Sequence, residues 1–206
     1  MLPAGDKHLV QIVDAALADT SRRSGDWLVC HAGCTQCCVG AFAISQLDAE
    51  RLRSGLLLLS SDDPERAARI HQRVQESVSR IAADFPGDTK TGLLDESTEA
   101  EDRFATFAND EPCPVLDQET GMCDLYAARP MTCRVFGPPV RSEDGLGVCE
   151  LCFHGASEEE IAACEMHLET DDLEAELDSE VERTTQVHGN TIVAFALRRQ
   201  IVSSLS

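Results

Sequence analysis

The stretch "CHAGCTQCC", residues 30–38, places four thiols within nine positions of a 206-residue chain. In an oxidising compartment such a run belongs to a disulfide framework. In a reducing one it reads as metal ligands or redox thiols, and that choice decides whether the fold is stapled or built around an inorganic centre. The N-terminus, "MLPAGDKHLVQIVDAALADT", sets Asp6, Lys7 and Asp14 among its apolar residues and lacks both a basic start and a clean apolar stretch, so it does not read as a secretory leader. A cytoplasmic location is expected, and with it reduced thiols.

The rest of the composition agrees with one buried domain. Apolar residues make up 43% of the chain while only 4% are aromatic, so the core must rest on Leu, Ile, Val and Ala. The formal charge of −20 repels polyanions, which speaks against nucleic acid and anionic membranes as partners. No apolar run reaches the roughly 18 to 20 residues a transmembrane helix needs, and "GLLLLSS" at 55–61 is far too short.

Outward from the first thiol run, the chain reads as helices. Leu9, Val13 and Ala16 recur at helical spacing before it. After it, Ser45 reads as the cap of a helix through Leu52 and Leu56. Asp63 and Pro64 open another, with Ala67, Ile70, Val74, Val78, Ile81 and Phe85 at threes and fours up to Pro86 and Gly87. An acidic short helix is expected over 95–110, with Phe104 and Phe107 on one side. Ser157 before three glutamates starts a helix that continues intermittently to Thr185, and Ala194, Leu197 and Ile201 share a face of the last one. No run supports a sheet, although short strand pieces fit around Val115 or Val135. The fold class expected is mainly α: one helical domain, residues 1–206, wrapped around an irregular cysteine-rich metal-binding core formed by 30–38 and 111–152, with 153–206 as an acidic helical extension.

Between Glu111 and Cys152 the chain is rich in Pro, Gly and Cys and carries the second thiol group: Cys113, Cys123, Cys133 and Cys149, with Cys152 just beyond. A soft metal takes deprotonated sulfur, and Cys34 and Cys37, two residues apart, can reach one ion from a single turn of backbone. Cys30 fits the same geometry, whereas Cys38 points away from its neighbour in extended chain. Cys113, Cys123 and Cys133 are each ten positions apart, so none closes a short loop with the next. The economical solution brings both groups together, coupling metal binding to folding.

Cys113 is followed by Pro114, a pairing familiar from iron–sulfur ligands. In "CDLYAARPMTCRVFG", residues 123–137, Asp124 reads as the cap of a short helix ended by Arg129 and Pro130. Arg129 and Arg134 stand where a cation offsets thiolate charge and donates hydrogen bonds to a metal site, making them candidate cofactor-binding residues; pairing with the chain's many carboxylates is the open alternative.

The C-x3-C-x2-C-C start, the "CPVL" segment and C-x2-Y-x2-R-P-x2-C-R-x-F followed by Cys149 together resemble the YkgJ-type cysteine-cluster family. The resemblance spans about residues 30 to 150. It implies a zinc- or iron-chelating domain whose metal ligands are Cys30, Cys34, Cys37, Cys38, Cys113, Cys123, Cys133 and Cys149, framed by Tyr126, Arg129, Pro130 and Arg134. Members carry an iron–sulfur oxidoreductase label, and a similar cysteine cluster occurs in flagellin lysine methylases, but no reaction follows for this chain. Cys152, Cys164 and the acidic C-terminal stretch depart from the pattern.

Cys30-x3-Cys34-x2-Cys37 also matches the signature of radical S-adenosylmethionine enzymes. Those need a βα barrel behind the loop, the residues after 38 read as helices, and Gln36 stands where an aromatic is usual. Cys164 reads as a buried structural thiol on an apolar helix face with Ile161 and Leu168. Cys152 reads equally as a spare ligand or a free thiol. His31 and His154 neighbour cysteines but are not needed as ligands. No glycine-rich phosphate loop, G-x-S-x-G or H-E-x-x-H is present. An uneven three-cysteine run with distant further ligands favours an iron–sulfur cluster, with zinc as the alternative. Two functions remain open: a redox or cluster-dependent protein serving a protein or redox partner, and a non-enzymatic zinc-binding interaction module.

Overall fold

The side chain of Asp63 accepts the N–H of Arg66 at 3.0 Å and Pro64 fills the first turn, so the most regular helix, α3 (Pro64–Ile81), begins where the sequence predicts. Its Ala67, Ile70, Val74, Val78 and Ile81 are buried, and Phe85 continues that stripe past the helix end to meet Phe107 edge-on at 5.8 Å. Before it runs α2 (Gln46–Asp62), capped by Ser45, and at the start of the chain α1 (Asp6–Ser24). The computed structural model describes residues 1–142, 145–170 and 172–204, with side chains as far as 198.

Five further helices follow among the described residues: α4 (Thr98–Phe104), α5 (Met131–Val135), α6 (Glu158–Ala163), α7 (Leu173–Thr185) and α8 (Val193–Ser204). The protein is mainly α. Three antiparallel strand pairs interrupt the helices: β1 (Gly87–Asp88) with β2 (Leu93–Leu94), β3 (Leu116–Asp117) with β4 (Met122–Cys123), and β5 (Val140–Ser142) with β6 (Gly145–Gly147). The strand expected near Val115 is β3, whereas Val135 ends α5. No helix is long and apolar enough to cross a membrane among the described residues.

Within residues 153–206, Phe195, Ala196 and Leu197 of α8 are fully buried against α2 and α3, and Leu177 and Val181 of α7 pack with Leu9 and Val13 of α1. The acidic residues cover one face of these helices while the other completes the core. Two expectations are corrected. First, α6 opens with a full capping box between Ser157 and Glu160 but stops at Ala163, so Cys164 caps its C-terminus and does not share a helix face with the exposed Leu168. Second, Asp124 caps no helix. Its buried carboxylate takes Arg66 and Arg73 of α3 instead, at 2.5 Å each, an ion-pair set that pins the β4 turn to the helix layer.

Two other contacts locate the cysteine-rich segment. Buried Arg51 of α2 bonds Asp6 of α1 at 2.7 Å and also Asp48, whose oxygen accepts the N–H of Met131 at 3.0 Å, so α1, α2 and α5 meet at one polar knot. At Gly55 a β-carbon would fall 2.4 Å from that of Ala128, so only glycine lets α2 approach the turn after Cys123.

Candidate metal centre

Cys37 and Cys38 lie in a short 3-10 turn (Gln36–Cys38), half-buried. The carbonyl of Cys38 accepts the N–H of Cys113 at 2.7 Å, Val39 bridges Pro112, and Gly40 donates to Glu111 at 2.9 Å. The first thiol run is thereby stitched antiparallel to the start of the second. Cys123 enters from β4, across from Leu116, and Cys133 from α5, on the far side of the polar knot.

These elements enclose a cavity of about 420 Å³ with largely apolar walls. Seven of the eight cysteines singled out in the sequence line it: Cys30, Cys34, Cys37, Cys38, Cys113, Cys123 and Cys133. The eighth, Cys149, is buried elsewhere, with Cys152, Phe153 and Cys164. All ten cysteines are free thiols. Among the described residues no three Cys, His, Asp or Glu side chains already stand close enough to hold a metal ion. The thiols line one cavity without yet converging on a common point.

Their electrostatics show which lie near one another. Burial pushes the Cys113 thiol up to about 12, with Cys123 and Cys37 adding to the rise. Cys133 is raised by burial and then by Cys113, Cys37 and Cys123. Cys37 is raised first by its thiol bond to Cys38 and then by burial. Cys123 is raised by burial, against which the Leu125 N–H and Arg129 pull it down. The N–H of Val115 likewise serves the Cys113 sulfur. Backbone N–H groups directed at sulfur favour the thiolate and fix its direction, as metal–thiolate sites require.

The two arginines part company. Arg129 lies 4.0 Å from the centre of the Tyr126 ring and lowers both Cys37 and Cys123. Arg134, buried, gives one nitrogen to Asp14 at 2.8 Å and another to the Ala127 carbonyl at 2.5 Å, while its Nε, also buried, has no partner in the protein. His31 borders the cavity but turns its Nδ1 to the Ala32 carbonyl, and His154 is exposed. Sequence reasoning missed Arg73 and gave Asp124 another role; together they hold the Cys113 and Cys123 loops, and Arg73 also donates to the Pro114 carbonyl at 2.9 Å.

A helical frame that gathers reduced thiols from two distant stretches onto one cavity defines a thiolate metal-chelating protein. The chain belongs to the CxxCxxCC family, described as "Putative zinc- or iron-chelating domain", whose model matches residues 29–166. The matched span runs from the first thiol run to just past Cys164 and includes all ten cysteines. No curated protein and no solved structure matches the chain.

Proposed function

We propose that the protein binds an iron–sulfur cluster through Cys37, Cys113, Cys123 and Cys133 and serves a redox or cluster-dependent role with a protein partner. The observation that carries this reading is the convergence of those four thiols on one cavity of about 420 Å³. A water molecule occupies about 30 Å³ of liquid, so the space exceeds what a single ion needs. The donor set fits: four soft sulfurs, N–H groups aimed at two of them, apolar walls, and Arg129 to offset thiolate charge. When bound, such a cluster supplies one-electron transfer.

Cys37 comes from the first thiol run, Cys113 and Cys123 pack on the core, and Cys133 is held from α5. Exposed Met122 and Tyr126 border the same cavity and provide an apolar rim for a partner to approach. The charge of −20 favours a partner with a basic face.

A zinc-binding interaction module is the second reading, supported by the packing of Cys113 and Cys123 against the core cluster of α2, α3 and α8, where a structural ion would complete the interior. Anaerobic purification decides. Brown protein with stoichiometric iron and sulfide upholds the cluster; colourless protein holding zinc through chelation overturns it in favour of the module.

A further inference from the structure

Cys149 and Cys152 lie outside the cavity, in a buried group with Phe153. The N–H of Cys152 bonds the carbonyl of Cys149 at 2.9 Å, closing a tight turn, and the two thiols hydrogen-bond each other. Two cysteines on one such turn, separated by two residues, can present both sulfurs to a single tetrahedral ion. Phe153, the next residue, takes a left-handed conformation at φ 59° and donates to the Trp27 carbonyl at 2.9 Å. A bulky residue held at positive φ marks a backbone that the surroundings over-determine.

That turn faces the start of the first thiol run. The backbone N–H groups of Val29 and Cys30 lie beside the Cys152 sulfur. The Cys30 thiol is within electrostatic reach of Cys34, Cys149 and Cys152 as well as Cys37. Cys149 also donates its N–H to Gly137 at 3.4 Å, and a β-carbon on Gly137 would lie 3.8 Å from the Cys30 sulfur. Backbone donors beside a sulfur fix its direction, as a ligand sulfur requires.

We infer that Cys30, Cys34, Cys149 and Cys152 form a second tetrathiolate site, for a divalent ion of zinc's class, separate from the four thiols proposed above. The inference rests on the reading of this chain as a thiolate metal chelator. Cys149 and Cys152 are the preformed half, because their turn is buried and its backbone bonds are made. Cys30 and Cys34 are the closing half: Gly33 between them adopts φ 91° with nothing within 4 Å of where a β-carbon would sit, leaving the loop room to bring both sulfurs inward. The ion would tie residues 30–34 to 149–152, fastening the loop that carries Cys37 from its other end.

The test is cobalt(II) chloride titration of the full chain, purified under argon and stripped of metal, followed by thiolate-to-cobalt charge-transfer absorbance. Wild type is expected to saturate at about two equivalents, and Cys152→Ser and Cys123→Ser at about one each. Equal saturation of wild type and Cys152→Ser overturns the second site. If Cys152→Ser matches wild type while Cys123→Ser loses its metal, this inference fails and the first centre stands. If Cys123→Ser keeps full metal while Cys152→Ser loses one equivalent, the proposed ligand set of the first centre fails and the second site stands. Should Cys152→Ser not fold, alkylation of the zinc-loaded wild type decides: protection of Cys149 and Cys152 upholds the site, and rapid labelling or a disulfide between them overturns it.

Discussion

The N–H of Cys113 donates to the carbonyl of Cys38 at 2.7 Å, joining two thiol-bearing stretches that lie 75 positions apart in the chain. This bond and its neighbours at Val39–Pro112 and Gly40–Glu111 make the first thiol run and the Cys-Pro segment one local unit. The helical insertion α2–α4 is thereby looped out between them.

Replacing Cys123 with Ser removes a proposed ligand while leaving β4 in place. Metal content is expected to fall along with the melting temperature, by about 5 °C or more, since the bound state stabilises only the folded chain. The same holds for Cys37→Ser. Elemental analysis with calorimetry checks both, and unchanged values in either variant would remove that residue from the ligand set.

Cys164→Ala should keep its metal. The thiol is buried at the C-terminal cap of α6, outside the cavity, so its loss costs packing alone, on the order of 1 kcal/mol. Metal loss in this variant would show that the buried group around Phe153 reaches Cys164 as a ligand.

Asp124→Asn leaves Arg66 and Arg73 facing an uncharged partner beside α3. Breaking a buried ion pair on one side costs about 3 kcal/mol, moderated here because Arg66 is partly exposed. Urea unfolding of the metal-free chain measures it, and a change within error would mean the pair does not hold the β4 turn.

Arg129→Ala should weaken metal binding about tenfold, in line with losing a supporting partner of a metal site, without unfolding the chain. Arg129→Lys keeps the charge but loses the planar contact with Tyr126, so it should recover part of the affinity. Competition with a chromogenic chelator reads both variants, and equal affinity in wild type and Arg129→Ala would confine the residue to packing on Tyr126.

Burial pushes the Asp48 carboxyl up to about 6, against the pull of Arg51 and of the Met131 N–H. An unfolded aspartate titrates near 3.9, so between about pH 6 and 4 the folded chain binds the proton first. This group therefore favours folding more as pH falls through that window, and disfavours it above. In metal-free protein, wild type should gain on Asp48→Asn as pH drops from about 6.5 to 4. Parallel stability curves for the two would refute the shift.

The helices were legible because each carries its own signal. Asp63 and Pro64 cap and start α3, its apolar stripe sets the buried face, and the Ser157–Glu160 box starts α6, all within a few residues of chain. The thiols and the family they resemble were legible for the same reason, being a matter of residue type and spacing. Asp124 was misjudged because a carboxylate at a turn reads locally as a cap, and nothing nearby in sequence reveals that Arg66 and Arg73 come to it from α3.

By itself, then, the sequence determined most of the helices, the caps Ser45, Asp63 and Ser157, and the spacing of the thiols, since these depend on interactions between near neighbours. Tertiary structure alone decided that Cys37 faces Cys113, Cys123 and Cys133, that Cys149 turns instead toward Cys152 and Cys30, and that α7 and α8 complete the core. Those arrangements depend on which distant surfaces are removed from water together and on how the backbone groups between them are satisfied.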